Sequence, residues 1–162
     1  MNIPVGSLND GAPSPEGDGP GPTLFRFVRH WSRRWLSPSG LGVDRDNARD
    51  VWVTEAVRDR QGAHGASVNE VADELGIDQS GASRLIAQAA DRGFLRKEDS
   101  PADARRRVLV VTEEGRELLR TAHAWQESVF ADLTADWPDR DVRELHRLMR
   151  LLVRAQHAAE RR

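Results

Sequence analysis

Apolar positions along the chain fall into two kinds of rhythm, with one abrupt change between them. From Thr23 to Leu36, Leu24, Val28, Trp31 and Trp35 recur at helical spacing with Phe27 alongside, and Thr23 offers a cap. A break at Ser37-Pro-Ser-Gly40 precedes a second helical pattern from about Arg45 to Arg60, carried by Ala48, Val51, Trp52, Glu55 and Ala56; Gln61 to Ala66 reads as a loop. Ser67 then opens a short helix with the chemistry of a capping box. Its hydroxyl can accept from the Glu70 amide while the Glu70 carboxylate reaches back to the Ser67 amide. Val68, Val71, Ala72 and Leu75 form the apolar stripe of that helix, and Gly76 supplies its end. Ile77 can plug the corner. Asp78 can cap a third helix, running from Gln79 to about Arg92.

That third helix separates by face. Ala82, Leu85, Ile86 and Ala89 form an apolar stripe, while Ser80, Ser83, Arg84 and Gln88 fall away from it. Short hydroxyls and amides beside one arginine allow a close approach to base edges, which a face of long, salt-bridged side chains does not. After Gly93 the period shortens. Residues 94–98 read as one strand and the β-branched run Val108 to Thr112 as another, with 99–107 as the loop between them. Two short helices followed by a basic hairpin predict a winged helix-turn-helix over residues 67–112, and its natural partner is double-stranded DNA. Beyond it, Thr112 can cap a long helix whose stripe is Gly115, Leu118, Leu119, Ala122, Val129, Phe130 and Leu133; Trp137-Pro138 breaks it. A last helix, from about Asp139 to Ala159, carries Val142, Leu145, Met149, Leu152 and Gln156, with Leu148 and Val153 beside them. The fold class is therefore mainly α with a small β-hairpin.

Charge sharpens this picture. The net charge is -2 over 162 residues, which argues against a nonspecific chromatin-like binder. Residues 78–112 nevertheless carry seven basic and five acidic side chains, whereas the segments on either side are net negative. Between Arg92 and Arg107 there are six basic side chains against three acidic, so attraction for phosphate is local to this corner. Cysteine is absent, which excludes disulfides, thiolate metal sites and thiol redox sensing. The histidines at 30, 64, 123, 146 and 157 make no pair one helical turn apart on a metal face, and no cofactor is expected. No apolar run is long enough to span a bilayer and the N-terminus lacks signal-peptide features, so a cytoplasmic protein is expected. Residues 1–22 hold five Pro and five Gly and few large apolar residues, the composition of a disordered tail. Glycines at 17, 19 and 21 mimic a phosphate loop, but no strand precedes them. There is no nucleophile elbow and no recognisable carboxylate pair, so an enzyme is not expected. A winged-helix protein-interaction module without DNA binding remains the alternative.

The segment Ser67 to Gly115 resembles the MarR-type transcriptional regulators, and looser similarity extends from about Leu24 to Gln156. The motifs are Glu70-Val-Ala72, Ser80-Gly-Ala-Ser-Arg-Leu85, Arg92-Gly-Phe-Leu95, Asp103-Ala-Arg105 and Val111-Thr-Glu-Glu-Gly115. Ala89 stands where the family usually has leucine, Lys97 where it has arginine, and Ala104 where a second wing arginine is common.

The resemblance implies one regulator domain over 23–160, with residues 67–112 as its DNA-binding core and helices over 23–60 and 113–160 forming a homodimer. The helical pattern alone leaves an intramolecular core equally open. Residues facing DNA would be Gln79, Ser80, Ser83, Arg84 and Gln88 in the major groove and Ser67 at a phosphate. In the wing, Asp103 resembles the aspartate that steadies the tip and Arg105 the arginine that enters the minor groove, with Arg106 and Arg107 on phosphate. The family also implies repression and a small, often aromatic effector. Candidates to line its pocket are His30, Trp31, Trp35, Trp52, His123 and Trp125, although aromatic residues at helical spacing are equally the material of a plain core.

Overall fold

In the computed structural model, residues 19–35, 45–100 and 103–160 are described, apart from the side chains of 33–35, 45–46, 103–105, 157, 159 and 160. Among the described residues, six helices and one antiparallel hairpin follow in order: α1 (Pro20–Trp35), α2 (Arg45–Gln61), α3 (Val68–Leu75), α4 (Gln79–Asp91), β1 (Leu95–Ser100), β2 (Asp103–Val111), α5 (Glu113–Leu133) and α6 (Asp139–Glu160). The expected tail lies outside the described residues as far as residue 18.

α1 begins before Thr23, which therefore is not its cap. Pro20 takes the first helical position, where a missing amide costs nothing because no carbonyl precedes it to accept the bond. The local caps of the following elements form as their side chains dictate. Ser67 and Glu70 close a reciprocal box at α3, and Gly76 ends that helix at φ 63°, its N–H donating to the carbonyls of Ala72 and Asp73. Asp78 caps α4 by accepting from the Gly81 amide at 2.9 Å, and Thr112 caps α5 by accepting from the Gly115 amide at 3.0 Å.

The hairpin is longer than the sequence pattern predicts. Pairing runs from Leu95↔Val111 to Asp99↔Arg107 and then jumps to Ser100↔Asp103. Most of the expected loop is thus strand, because cross-strand hydrogen bonds form regardless of how polar the side chains are. The jump leaves residues 104–106 without an opposite number in the register, so the wing arginines fall in or beside a bulge. The stretch before α3 also differs from the loop expected there. Ala66 pairs with Leu109, the Ala66 N–H donating to the Leu109 carbonyl at 2.9 Å and the Leu109 N–H returning at 2.7 Å. Gly65 makes this possible: its φ is +79°, and a Cβ there would lie 2.5 Å from the Val108 side chain.

One core joins α2, α3, α4 and the hairpin through Val53, Val57, Val71, Ile86, Leu95 and Leu109. A smaller cluster of Val51, Leu119 and Ala122 ties α5 to α2. Neither cluster takes a residue from α1 or α6. Leu24, Phe27 and Val28 on α1, and Leu148, Met149, Leu152 and Val153 on α6, are exposed. No helix among the described residues is long and apolar enough to cross a membrane.

Candidate nucleic-acid interface and adjoining pocket

α4 stands on Ala82, Ile86 and Ala89, all buried in the main core. This leaves Gln79, Ser80, Ser83, Arg84 and Ala87 exposed, while Leu85 and Gln88 are half-buried. Ala87 is the residue that pattern reading misses. An alanine at helical spacing looks like core, yet this one sits three positions after Arg84 and presents a methyl group of the kind that contacts thymine.

The hydrogen bonds sort the expected contacts. The Ser80 hydroxyl donates to Asp78 Oδ1, which also accepts from the Gly81 amide. These bonds, the hydroxyl first, hold the Asp78 carboxyl below its usual value, with a smaller contribution from the Arg84 charge. Ser67 is similarly engaged: its hydroxyl donates to Glu70 Oε2 at 2.7 Å and its amide donates to the same oxygen at 2.8 Å. The Glu70 carboxyl is lowered as a result, chiefly by the Ser67 hydroxyl and next by the Ser67 amide. A phosphate at Ser67 would have to displace a carboxylate. Gln79, Ser83 and Arg84 carry no such bond among the described residues, so their donors face solvent.

In the wing, Arg107 is exposed but lies 3.5 Å from Asp99 Oδ1 and donates to the Lys97 carbonyl at 3.3 Å, which braces the hairpin. Arg106 is exposed, and its charge reaches Glu70 at the start of α3. The backbones of Asp103 and Arg105 lie in β2; their side chains are outside the described residues.

Arg92, counted above with the basic corner, turns inward instead. At the C-cap of α4 it forms an ion pair with Asp50 Oδ2 at 2.6 Å, donates to Asn47 Oδ1, and lies over the Phe94 ring at 5.5 Å. Asp50 is 1% exposed.

Beside this clamp, a cavity of about 360 Å³ opens between α2, Phe94 and α5. Its apolar wall is Ala48, Val51, Phe94, Leu118, Ala122 and Trp125, with Asn47, Thr121 and two glutamates adding polar atoms. A second cavity, about 290 Å³, lies between α1 and α5 and includes Trp31, Trp125, Phe27 and Phe130. Of the six residues expected to line one pocket, the five whose side chains are described are therefore not all brought together. Trp125 borders both cavities and Trp31 the second. His30 packs edge-on against Trp31 at 5.5 Å, Trp52 is 40% exposed, and His123 lies 2.7 Å from Glu55 Oε1. The Trp35 side chain is outside the described residues. Phe94, Val51 and Leu118 were missed because the expectation followed aromatic type along α1, α2 and α5, while the cavity is formed by the packing of α2, Phe94 and α5 and takes mostly aliphatic side chains. Among the described residues no group of three or more metal-ligating side chains is assembled.

A family model described as MarR_2: MarR family matches residues 56–106, which span the end of α2, both helices of the turn and most of the wing. No curated protein sequence matches the chain. Among solved structures, the chain resembles MarR at 23% identity and TM-score 0.62, over 89% of this chain and 95% of that one. It also resembles CouR from Rhodococcus jostii bound to p-coumaroyl-CoA, at 22% identity and TM-score 0.60 over 83% and 92%. BpsR of Bordetella bronchiseptica, whose DNA binding is regulated by 6-hydroxynicotinic acid, matches at 21% and 0.52 over 81% and 98%. With the helix-turn-helix and most of the wing inside the segment that matches the MarR family model, and the surrounding helices arranged as in these structures, the chain has a MarR-like winged helix-turn-helix fold.

Proposed function

We propose that this protein is a ligand-responsive repressor that binds an inverted-repeat operator as a homodimer in the cytoplasm. The observation that carries the reading is the outer face of α4, where Gln79, Ser83, Arg84 and Ala87 are exposed and unencumbered on a helix rooted in the core. Arg84 reads guanine through its paired donors, a contact that discriminates by roughly 1 to 3 kcal/mol. Gln88 contributes from the inner edge of the same face, and Ser80 does so while retaining its bond to Asp78. Arg105 enters the minor groove beside a wing steadied by Asp103, and Arg106 and Arg107 hold phosphate. Ser67 serves first as a cap.

The exposed apolar faces of α1 and α6 support the homodimer, since stripes of this width are stable in water only when covered. Residues 23–60 and 113–160 then form the dimer body and 67–112 the reading head, with half-sites about 34 to 36 Å apart. The two cavities beside Trp125, together with the p-coumaroyl-CoA bound by CouR and the 6-hydroxynicotinic acid that regulates BpsR, both of which carry an aromatic ring, support an aromatic effector.

The test begins with a duplex selected by the protein from a random pool at modest ionic strength. Arg84→Ala should relax base preference at one position of each half-site, and Arg105→Ala should weaken binding while reducing the salt dependence by about one ion per wing. Fluorescence anisotropy that finds both variants indistinguishable from the parent on that duplex would overturn these assignments.

A further inference from the structure

We propose that Arg92 is the positioning residue through which occupancy of the α2–α5 cavity reaches the DNA-reading helix. This rests on the preceding reading, in which α4 reads DNA and the cavity holds an effector. Arg92 belongs to α4 by its backbone, its N–H donating to the Gln88 carbonyl at 3.1 Å. Its side chain is held by residues of the cavity wall and by their helix. Asn47 accepts from one Nη, Phe94 lies beneath the guanidinium, and both residues line the cavity; Asp50, which takes the other Nη, lies on α2 between the lining residues Ala48 and Val51.

An occupant large enough to press on Phe94 or to capture the Asn47 amide therefore moves the support of the guanidinium. The Asp50 carboxylate is buried, and separating it from a cation is costly, so the guanidinium follows the carboxylate rather than releasing it. The last turn of α4 is carried along. A plain structural clamp would hold α4 in place whether or not the cavity is filled; a coupling clamp makes the position of α4 depend on filling.

The absence of cysteine allows the cavity to be filled without knowing the effector. Thr121 is exposed at its rim, and Thr121→Cys gives the chain a single thiol. That thiol is labelled with benzyl methanethiosulfonate to fill the cavity, or with methyl methanethiosulfonate as a control of the same chemistry. Affinity for the selected duplex is then compared. With Arg92 present, the benzyl label should weaken binding about tenfold relative to the methyl label, within the usual range of allosteric coupling. In the Arg92→Met background the ratio should fall to within about twofold, and Arg92→Lys should restore part of it.

Equal affinities for the two labels, tighter binding with benzyl, or the same ratio with and without Arg92 would each overturn the proposal. If Arg92→Met does not give the parent circular dichroism spectrum, Asn47→Ala, which removes one arm only, takes its place. An intermediate ratio is expected there, and an unaltered one overturns the coupling. Failure of the unlabelled protein to prefer any duplex is a separate result that defeats the DNA-binding reading and this inference together.

Discussion

The winged lobe and the terminal helices are built from the same apolar residue types and meet opposite fates. Val53, Val57, Val71, Ile86 and Leu109 are all but sealed from water, whereas Phe25 is 69% exposed, Leu152 56% and Val153 53%. All of the helices involved are amphipathic or carry apolar faces, so an apolar stripe by itself says only that something must cover it. In the lobe the cover comes from other elements of the same chain, α2 to α4 and the hairpin, brought round by the turn at Gly76 and by the pairing of Ala66 with Leu109. On α1 and α6 the described residues offer no equivalent, and a second copy supplies it in the reading proposed above. The difference teaches that the winged lobe can close its own core, whereas the outer helices leave apolar faces that, in the reading proposed above, assembly covers.

The largest expected effect lies inside the lobe. Ile86→Ala should cost about 2 to 5 kcal/mol in urea denaturation, by the same amount at low and high protein concentration. A strong concentration dependence of that loss would break the comparison, because it would make the lobe depend on assembly as well. Next comes Gly115→Ala. A Cβ at Gly115 would sit 2.2 Å from the Phe94 carbonyl oxygen, and backbone cannot yield as a flexible side chain does. A loss of about 1 to 3 kcal/mol is expected, read as a lowered Tm.

Ser67→Ala should cost about 1 kcal/mol, the usual value of a lost N-cap. Here pH provides a second axis. The Glu70 carboxyl is lowered from 4.5 in the folded protein, so its contribution is present above that value and disappears as pH falls through the folded one. The cost of Ser67→Ala should accordingly be full at neutral pH and shrink well below pH 4.5. A cost that is flat across this range would detach the cap from its carboxylate.

Leu152→Glu sharpens the other half of the comparison. In dilute protein it should change stability by less than about 0.5 kcal/mol, as exposed substitutions do. At micromolar concentration, light scattering should nevertheless show the mass dropping from two chains to one. Parent and variant with the same mass would remove α6 from the dimer interface.

What could be read from residues alone divides along the range of the interactions involved. Ser67, Gly76, Asp78 and Thr112 were legible as caps because each acts on amides or carbonyls within a few positions of itself. The inner face of α4 was legible for the same reason. The ends of the hairpin were not: polar side chains over 99–107 look like loop, and only the partner strand decides otherwise. Ala66 is bonded to Leu109 across α3, α4 and β1, and nothing near Ala66 announces it. Arg92 shows the limit best. Its charge was plain and its destination was not, because Asp50 and Asn47 stand on another helix. The pocket expectation fell short for a related reason, since residue type identifies material for a cavity but the packing of α2, α5 and Phe94 decides where the cavity is.

The pair of hydrogen bonds between Ala66 and Leu109, with the Gln61 side chain accepting from the Val111 amide at 3.0 Å, welds the hairpin to the segment entering α3 and to the end of α2. Torque applied at the wing tip is therefore transmitted to the helices of the turn instead of being absorbed by a swinging flap. Such a head re-aims as a single body together with α2, so in the dimer proposed above a shift at its packing against α5 alters the distance between the two heads more readily than the spread between groove helix and wing within one.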